Sequence, residues 1–276
     1  MTPLPLLSVR NLSVDFWRVE GMRAVNDVTI EVGRGEVVGI VGESGSGKST
    51  LGFAIAGLLD PNDIELAGEV IFQDKDLLQM GKEEFRLLRG SEIGFIFQDS
   101  SSSLNPLLTI GKQLAQPLMA NGGMDINQAR KRAEELLAMV EISDPKRRLD
   151  QYPHEISGGM KQRVVIAAAL SRSPSLLIAD EPTTALDVTV QAQIIELLIR
   201  LKESLSMALI FISHDLGVVA RIADRVVVMK DGKLVESGTV DNVLNHPTQD
   251  YTKLLLENIP SLRFVDYRND SSFWSK

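Results

Sequence analysis

The feature that most narrows what this chain can fold into is the abrupt change of texture across residues 36–50. "EVVGIV" (36–41) is an almost unbroken apolar run, and "GESGSGKST" (42–50) follows it directly. A short strand that is apolar on nearly every residue suits a parallel sheet covered on both faces, because an exposed face would demand alternating polar residues. Residues 42–49 then fill every fixed position of the pattern G-x-x-x-x-G-K-[ST]. In that pattern the glycines let backbone N–H groups curl around a phosphate, the lysine reaches the outer phosphates, and the helix start adds roughly half a positive charge. A helix is predicted from about Lys48 to Leu59, with the Ser49 hydroxyl placed to ligate Mg²⁺.

The rest of the chain repeats this rhythm. "NDVTIEVGRGE" alternates Val28, Ile30 and Val32 with Thr29 and Glu31, a half-buried strand pattern, and the first 35 residues read as β-structure. Short apolar runs recur at 93–98, 175–180, 207–213 and 224–230, with helical patterns around 188–204 and 215–223. Strand and helix in alternation imply a parallel sheet covered by helices. From about 99 to 165 no strand pattern is found; Ala129, Ala133, Leu136, Leu137 and Val140 share one helical face, and the region reads as a helical insertion. "KDGKLVESG" (230–238) predicts a hairpin around Asp231-Gly232.

Bulk properties exclude several classes. The 276 residues fit one large α/β domain with an insertion. With no cysteine, there can be no disulfide, thiolate metal site or iron–sulfur cluster. A net charge of −8 disfavours a nucleic-acid surface. The N-terminus lacks the apolar stretch of a signal peptide, and no run approaches the 18 or so apolar residues a membrane span needs.

Three further places carry chemistry. "LLIADEP" (176–182) is an apolar strand ending in two acids, at the sheet edge where parallel α/β proteins bind ligands. Asp180 is the expected Mg²⁺-side carboxylate. Side-chain alternation along the strand sends Glu181 the other way, toward an attacking water, as general base or water-orienting group; such a base is worth about 10²–10⁴ in rate. His214 ends the strand of "ISHD", placed to hydrogen-bond a terminal phosphate, and Gln98 ends "IGFIFQ", placed to touch Mg²⁺ or the water. "ISGGMKQR" (156–163) opens a second helix in an anion-binding style, yet carries no phosphate-loop lysine. Read by itself, Ser157 is also a plain helix cap.

"GESGSGKST", Gln98, "ISGGMKQR", "LLIADEP", "ALD" (185–187) and "ISHD" occur in the order of ATP-binding-cassette ATPases, and the chain resembles that family over about residues 6–240. The signature reads ISGG where the family pattern has LSGG. Within the family it resembles the ATPase subunits of peptide/nickel-type importers, through "LRGSEIGFIFQDSSSSLNPLLTIGKQ", "YPHEISGGMKQRVVIAAAL" and "HPTQDYTKLLLENIPSL" (246–262). The segment "DSSSSLNP" departs from that pattern in lacking a Pro-Met pair, and the tail 263–276 matches nothing in it.

The resemblance implies a P-loop core with a parallel sheet, an N-terminal antiparallel β subdomain and an inserted helical subdomain. The boundaries it implies are an ATPase domain at 1–240, with the insertion at about 99–165, and a C-terminal segment at 241–276. It implies ATP and Mg²⁺ as cofactors. The phosphates would be held by Gly42, Glu43, Ser44, Gly45, Ser46, Gly47, Lys48, Ser49 and Thr50, and the metal by Ser49, Gln98 and Asp180. Adenine would meet an aromatic upstream of the phosphate loop, Phe16 or its neighbour Trp17, with Phe16 favoured. The family packs two such chains head to tail, so Ser157, Gly158 and Gly159 would close on an ATP held by the partner's phosphate loop, with Asp187 at the seam. The resemblance further implies a second, identical or homologous, ATPase subunit, two transmembrane permeases contacting residues 99–106, a solute-binding protein, and a place at the cytoplasmic face of the cell membrane. The rival readings are a soluble cassette ATPase acting on ribosomes or nucleic acid, and an exporter motor; the acidic charge opposes the first and the 246–262 segment the second.

Overall fold

A computed structural model describes residues 4–17, 21–120, 123–184 and 186–257. The chain divides into two units, Met1–Arg86 with Ser206–Lys276, and Leu87–Leu205. Elements are labelled in chain order across both.

In the first unit, β1 (Leu7–Phe16), β2 (Met22–Val32), β4 (Ile64–Phe72) and the two-residue β5 (Lys75–Asp76) form an antiparallel sheet in the order β2-β1-β4-β5. The alternation expected in β2 is present: Val28, Ile30 and Val32 are buried, while Thr29 and Glu31 face solvent. The strand β4 carried no clear periodic signal, because five consecutive residues, Glu65–Glu69, are exposed and only Ile64, Val70 and Phe72 are buried. A wholly buried β3 (Val37–Val41) pairs in parallel with β8 (Ala208–Ser213) and with β9 (Arg225–Lys230). The β9 strand turns through Asp231 and Gly232, both at positive φ, into the antiparallel β10 (Lys233–Thr239). Two positive-φ residues in succession match the twist of the hairpin strands they join.

The helices of this unit are α1 (Lys48–Ile55), α9 (Leu216–Ile222), α10 (Val240–Asn245) and α11 (Asp250–Glu257), and α2 (Lys82–Ser91) begins in it. Helix α1 stops one turn before the expected Leu59. Gly57 adopts φ +61, its N–H reaches Ala54 O at 3.1 Å, and the Leu58 N–H reaches back to Phe53 O at 2.9 Å. This paired closure satisfies the last carbonyls and ends the helix at its left-handed glycine.

In the second unit, β6 (Ile93–Ile96) pairs in parallel with β7 (Leu176–Asp180), with Ile96 opposite Ala179. Among the described residues between them there is no strand. The segment holds α3 (Ser100–Ser103), α4 (Ile110–Met119), α5 (Ile126–Met139), α6 (Pro145–Arg148) and α7 (Gly158–Ala169); α8 (Val188–Leu205) follows β7. Helix α5 starts on a reciprocal cap, in which Asp125 accepts from the Gln128 N–H and Gln128 Oε1 accepts from the Asp125 N–H, each at 3.0 Å. Its face of Ala129, Ala133, Leu136, Leu137 and the following Val140 is fully buried. The Glu141 carboxylate then joins three helices, pairing with Arg163 of α7 at 3.2 Å and Arg200 of α8 at 2.5 Å.

Candidate active site

Lys48 and the turn before it are built from backbone contacts. β3 delivers the chain to Gly42, and a side chain at Gly42 would sit 2.2 Å from Met229 O. Gly47 has φ +96, and a Cβ there would lie 2.2 Å from Ala24 O. Both positions therefore require glycine by contact as well as by conformation. The Gly232 N–H donates to Ser46 O at 3.1 Å, so the β9–β10 turn supports the loop from outside. The Glu43 N–H donates to the Tyr251 hydroxyl at 3.2 Å. Burial pushes that phenol above its ordinary range, outweighing the opposing hydrogen bond from Glu43, so it remains a neutral hydroxyl.

Lys48 is buried, and its Nζ donates to Gly42 O at 2.8 Å, Glu43 O at 2.7 Å and Ser46 Oγ at 3.3 Å. Those contacts hold the ammonium inside the ring of the loop. Helix α1 has Gly47 as its N-cap, a residue with no side chain to spend on the helix. A helix start carries backbone donors and a partial positive charge that suit an anion. Glu43, Ser44 and Gly45 are exposed, Ser46 is buried, and Ser49 and Thr50 are half-buried at the helix start.

His214 is exposed directly after the fully buried β8. Capping of the next helix falls to Asp215, whose carboxylate accepts from the N–H groups of Gly217 at 2.9 Å and Val218 at 3.2 Å. Phe16 is the half-buried last residue of β1, paired with Met22 and Ile64, and Trp17 beyond it is 67% exposed.

The second unit holds the acids. Asp180 is buried at the last position of β7. Strand alternation does not direct Glu181, because Glu181 lies outside the strand at φ +45. The reversal of backbone there, rather than the pleat, aims its side chain. Its Oε2 accepts from Gln98 Nε2 at 3.1 Å and from Thr184 Oγ1 at 2.7 Å. The register explains the first bond: Ile96 faces Ala179, so two residues further along each strand bring Gln98 level with Glu181. Sequence reasoning named both residues but not their bond, and it missed Thr184. The parallel pairing of two apolar runs was the signal for the bond.

Ser157 is the N-cap of α7, its hydroxyl accepting from the Met160 N–H at 3.4 Å. Ser157 and Gly158 are exposed, and a side chain at Gly158 would meet nothing within 4 Å. Gly159 differs, since a Cβ there would lie 2.8 Å from Val190 Cγ1. Asp187, also exposed, accepts from the Val190 N–H at 3.0 Å and so caps α8. Ala185 and the end of the 246–262 segment, with the tail 263–276, lie outside the described residues. Among the described residues no helix is long and apolar enough to cross a membrane.

The ABC transporter family model matches residues 25–184, which include the phosphate loop, the serine–glycine turn and both acids. The chain belongs to the ABC transporter family. It is an ABC-type ATPase with the family's nucleotide-binding fold, of the peptide-importer branch. It is 49% identical over 259 residues to the oligopeptide transport ATP-binding protein OppD of Bacillus subtilis, covering 93% of this chain and 72% of that protein. It is 48% identical over 259 residues to the dipeptide transport ATP-binding protein DppD of the same organism, covering 93% and 77%. Among solved structures it is similar to a dimeric ATP-binding cassette in a post-hydrolysis state with ADP and phosphate bound. The TM-score is 0.74 at 33% identity, covering 85% of this chain and 98% of that one.

Proposed function

We propose that this chain is the motor subunit of a peptide importer, and that its ATP is gripped jointly by two chains. What carries the reading is a contrast within one polypeptide: a lysine-bearing phosphate loop on α1, and an exposed, lysine-free Ser157-Gly158 turn on α7. The solved cassette to which the chain is similar is a dimer, which supports a second subunit, identical or homologous. The relatives' names support a peptide or related small solute.

In this reading Gly42–Thr50 cradles the phosphates, Lys48 neutralises the outer ones, and Phe16 or Trp17 stacks on adenine. Ser49, Asp180 and Gln98 would hold Mg²⁺, which supplies charge neutralisation at the phosphates. An oxygen-donor set of this kind, completed by phosphates and waters, fits that cation. Glu181, fixed by Gln98 and Thr184, draws the proton from the attacking water, and His214 hydrogen-bonds the terminal phosphate. Ser157, Gly158 and Gly159 close on the partner's ATP, with Asp187 at the seam. ATP binding would stabilise the closed dimer and hydrolysis release it, a switch that acts through differential affinity. The chain would work at the cytoplasmic face of the membrane through two permeases, one touching residues 99–106, with a solute-binding protein delivering cargo.

The test is sizing of the Glu181→Gln chain with and without Mg-ATP, alone and with its companion subunit. An ATP-dependent dimer is expected. A monomer under both conditions overturns the joint grip, and association with ribosomes or DNA without membrane association overturns the importer assignment.

A further inference from the structure

We infer that Tyr251 is a positioning residue for the phosphate-loop lysine, acting from a C-terminal segment that the matched family stretch does not include. This rests on the reading that Lys48 holds the outer phosphates of ATP. The link is a single planar peptide, the one joining Gly42 to Glu43. Its N–H, that of Glu43, donates to the Tyr251 hydroxyl at 3.2 Å, and its carbonyl, Gly42 O, accepts from Lys48 Nζ at 2.8 Å. Glu43 itself is exposed, so without the phenol the N–H of that peptide would turn to water and the peptide plane would lose one of its two anchors. Rotation would swing the carbonyl that steers the ammonium.

The phenol is held in turn. Lys230 Nζ lies 4.7 Å from the centre of the Tyr251 ring, on the strand that leads into the Asp231-Gly232 turn. That turn donates to Ser46 O, so strand β9 supports the loop and the tyrosine that touches it. One residue before α11, the chain is fastened to β10. Glu236 accepts from the Thr248 N–H at 2.7 Å, the Thr248 hydroxyl at 2.8 Å and the Gln249 N–H at 3.2 Å. Thr252, next to Tyr251, is fully buried. The family match ends at residue 184, whereas every one of these supports lies between residues 230 and 252. The C-terminal segment is therefore a brace on the nucleotide loop.

Tyr251→Phe removes the hydroxyl and keeps the ring over which Lys230 sits. Dissociation constants for ATP, ADP and AMP are measured on the full-length chain, at a temperature where circular dichroism shows both proteins fully folded, with Lys48→Ala in parallel. One neutral hydrogen bond predicts a loss of about two- to tenfold for ATP and ADP, and no change for AMP, which has no outer phosphate for Lys48 to hold. Unchanged ATP and ADP affinity in Tyr251→Phe, with binding lost in Lys48→Ala, overturns this inference alone. An equal loss for all three nucleotides also overturns it, since it would mark a general loosening of the site. Wild-type ATP affinity in Lys48→Ala would instead sink the parent reading.

Discussion

The two glycine-bearing helix starts of this chain, at α1 and α7, are built in opposite ways. At α1 the cap is a glycine with no side chain to spend on the helix, and the loop before it is enclosed by Met229 O, Ala24 O, the Gly232 N–H and the Tyr251 hydroxyl. Its lysine is buried and bonded to Gly42 O, Glu43 O and Ser46 Oγ. At α7 the cap is Ser157, whose hydroxyl makes a long 3.4 Å bond to its own helix, and open space surrounds Gly158. The braced start holds a counter-charge, which on the proposed function lets it organise an anion alone. The open start offers donors and a helix dipole but no cation, which suits a surface completed by another molecule.

The largest expected effect tests what the two starts share. Glu181→Gln keeps the hydrogen-bonded shape and removes the base. Hydrolysis should fall by about 10²–10⁴-fold in a steady-state phosphate-release assay, while nucleotide binding survives. Next, Lys48→Ala should weaken ATP binding to the single chain by about 10- to 100-fold, read by titration, because a charged hydrogen-bond partner is lost. Ser157→Ala should leave single-chain affinity as in the wild type yet weaken ATP-driven dimerisation by about tenfold, measured by analytical ultracentrifugation. If both variants lose single-chain affinity alike, the difference between the two starts is not functional.

The smallest effect concerns the brace. Burial would raise the Glu236 carboxyl, but the hydrogen bonds from Thr248 and Gln249 oppose it, and the group sits below its ordinary value of 4.5. A carboxyl lowered on folding contributes stability that is complete above about pH 4.5 and lost as pH falls through the lower, folded value. The gap in melting temperature between the wild type and Glu236→Gln should thus be constant from pH 7 to pH 5 and close as pH falls below 4.5.

Much of this was legible in the residues. The apolar run at 36–41 and the glycine–lysine pattern after it are local, so strand, turn and helix follow from neighbours in the chain. The buried face of α5 was likewise readable from spacing alone. The strand β4 was not, because most of its residues face solvent and leave no alternation to detect. The end of α1 was not legible either, because a glycine permits the positive φ that Gly57 adopts but does not impose it.

Residue order alone determined which chemistry the chain carries: a phosphate loop, a serine–glycine turn and a strand ending in two acids. It could do so because each of these depends on contacts within a few residues. Only the tertiary structure decided how the groups are aimed. Glu181 is directed by a left-handed backbone and a bond to Gln98 that spans 83 residues, and Lys48 is steered by the Gly42–Glu43 peptide that Tyr251 holds from 208 residues away. Such contacts are made by strand register and by packing of the C-terminal segment, and neither leaves a periodic mark on the sequence.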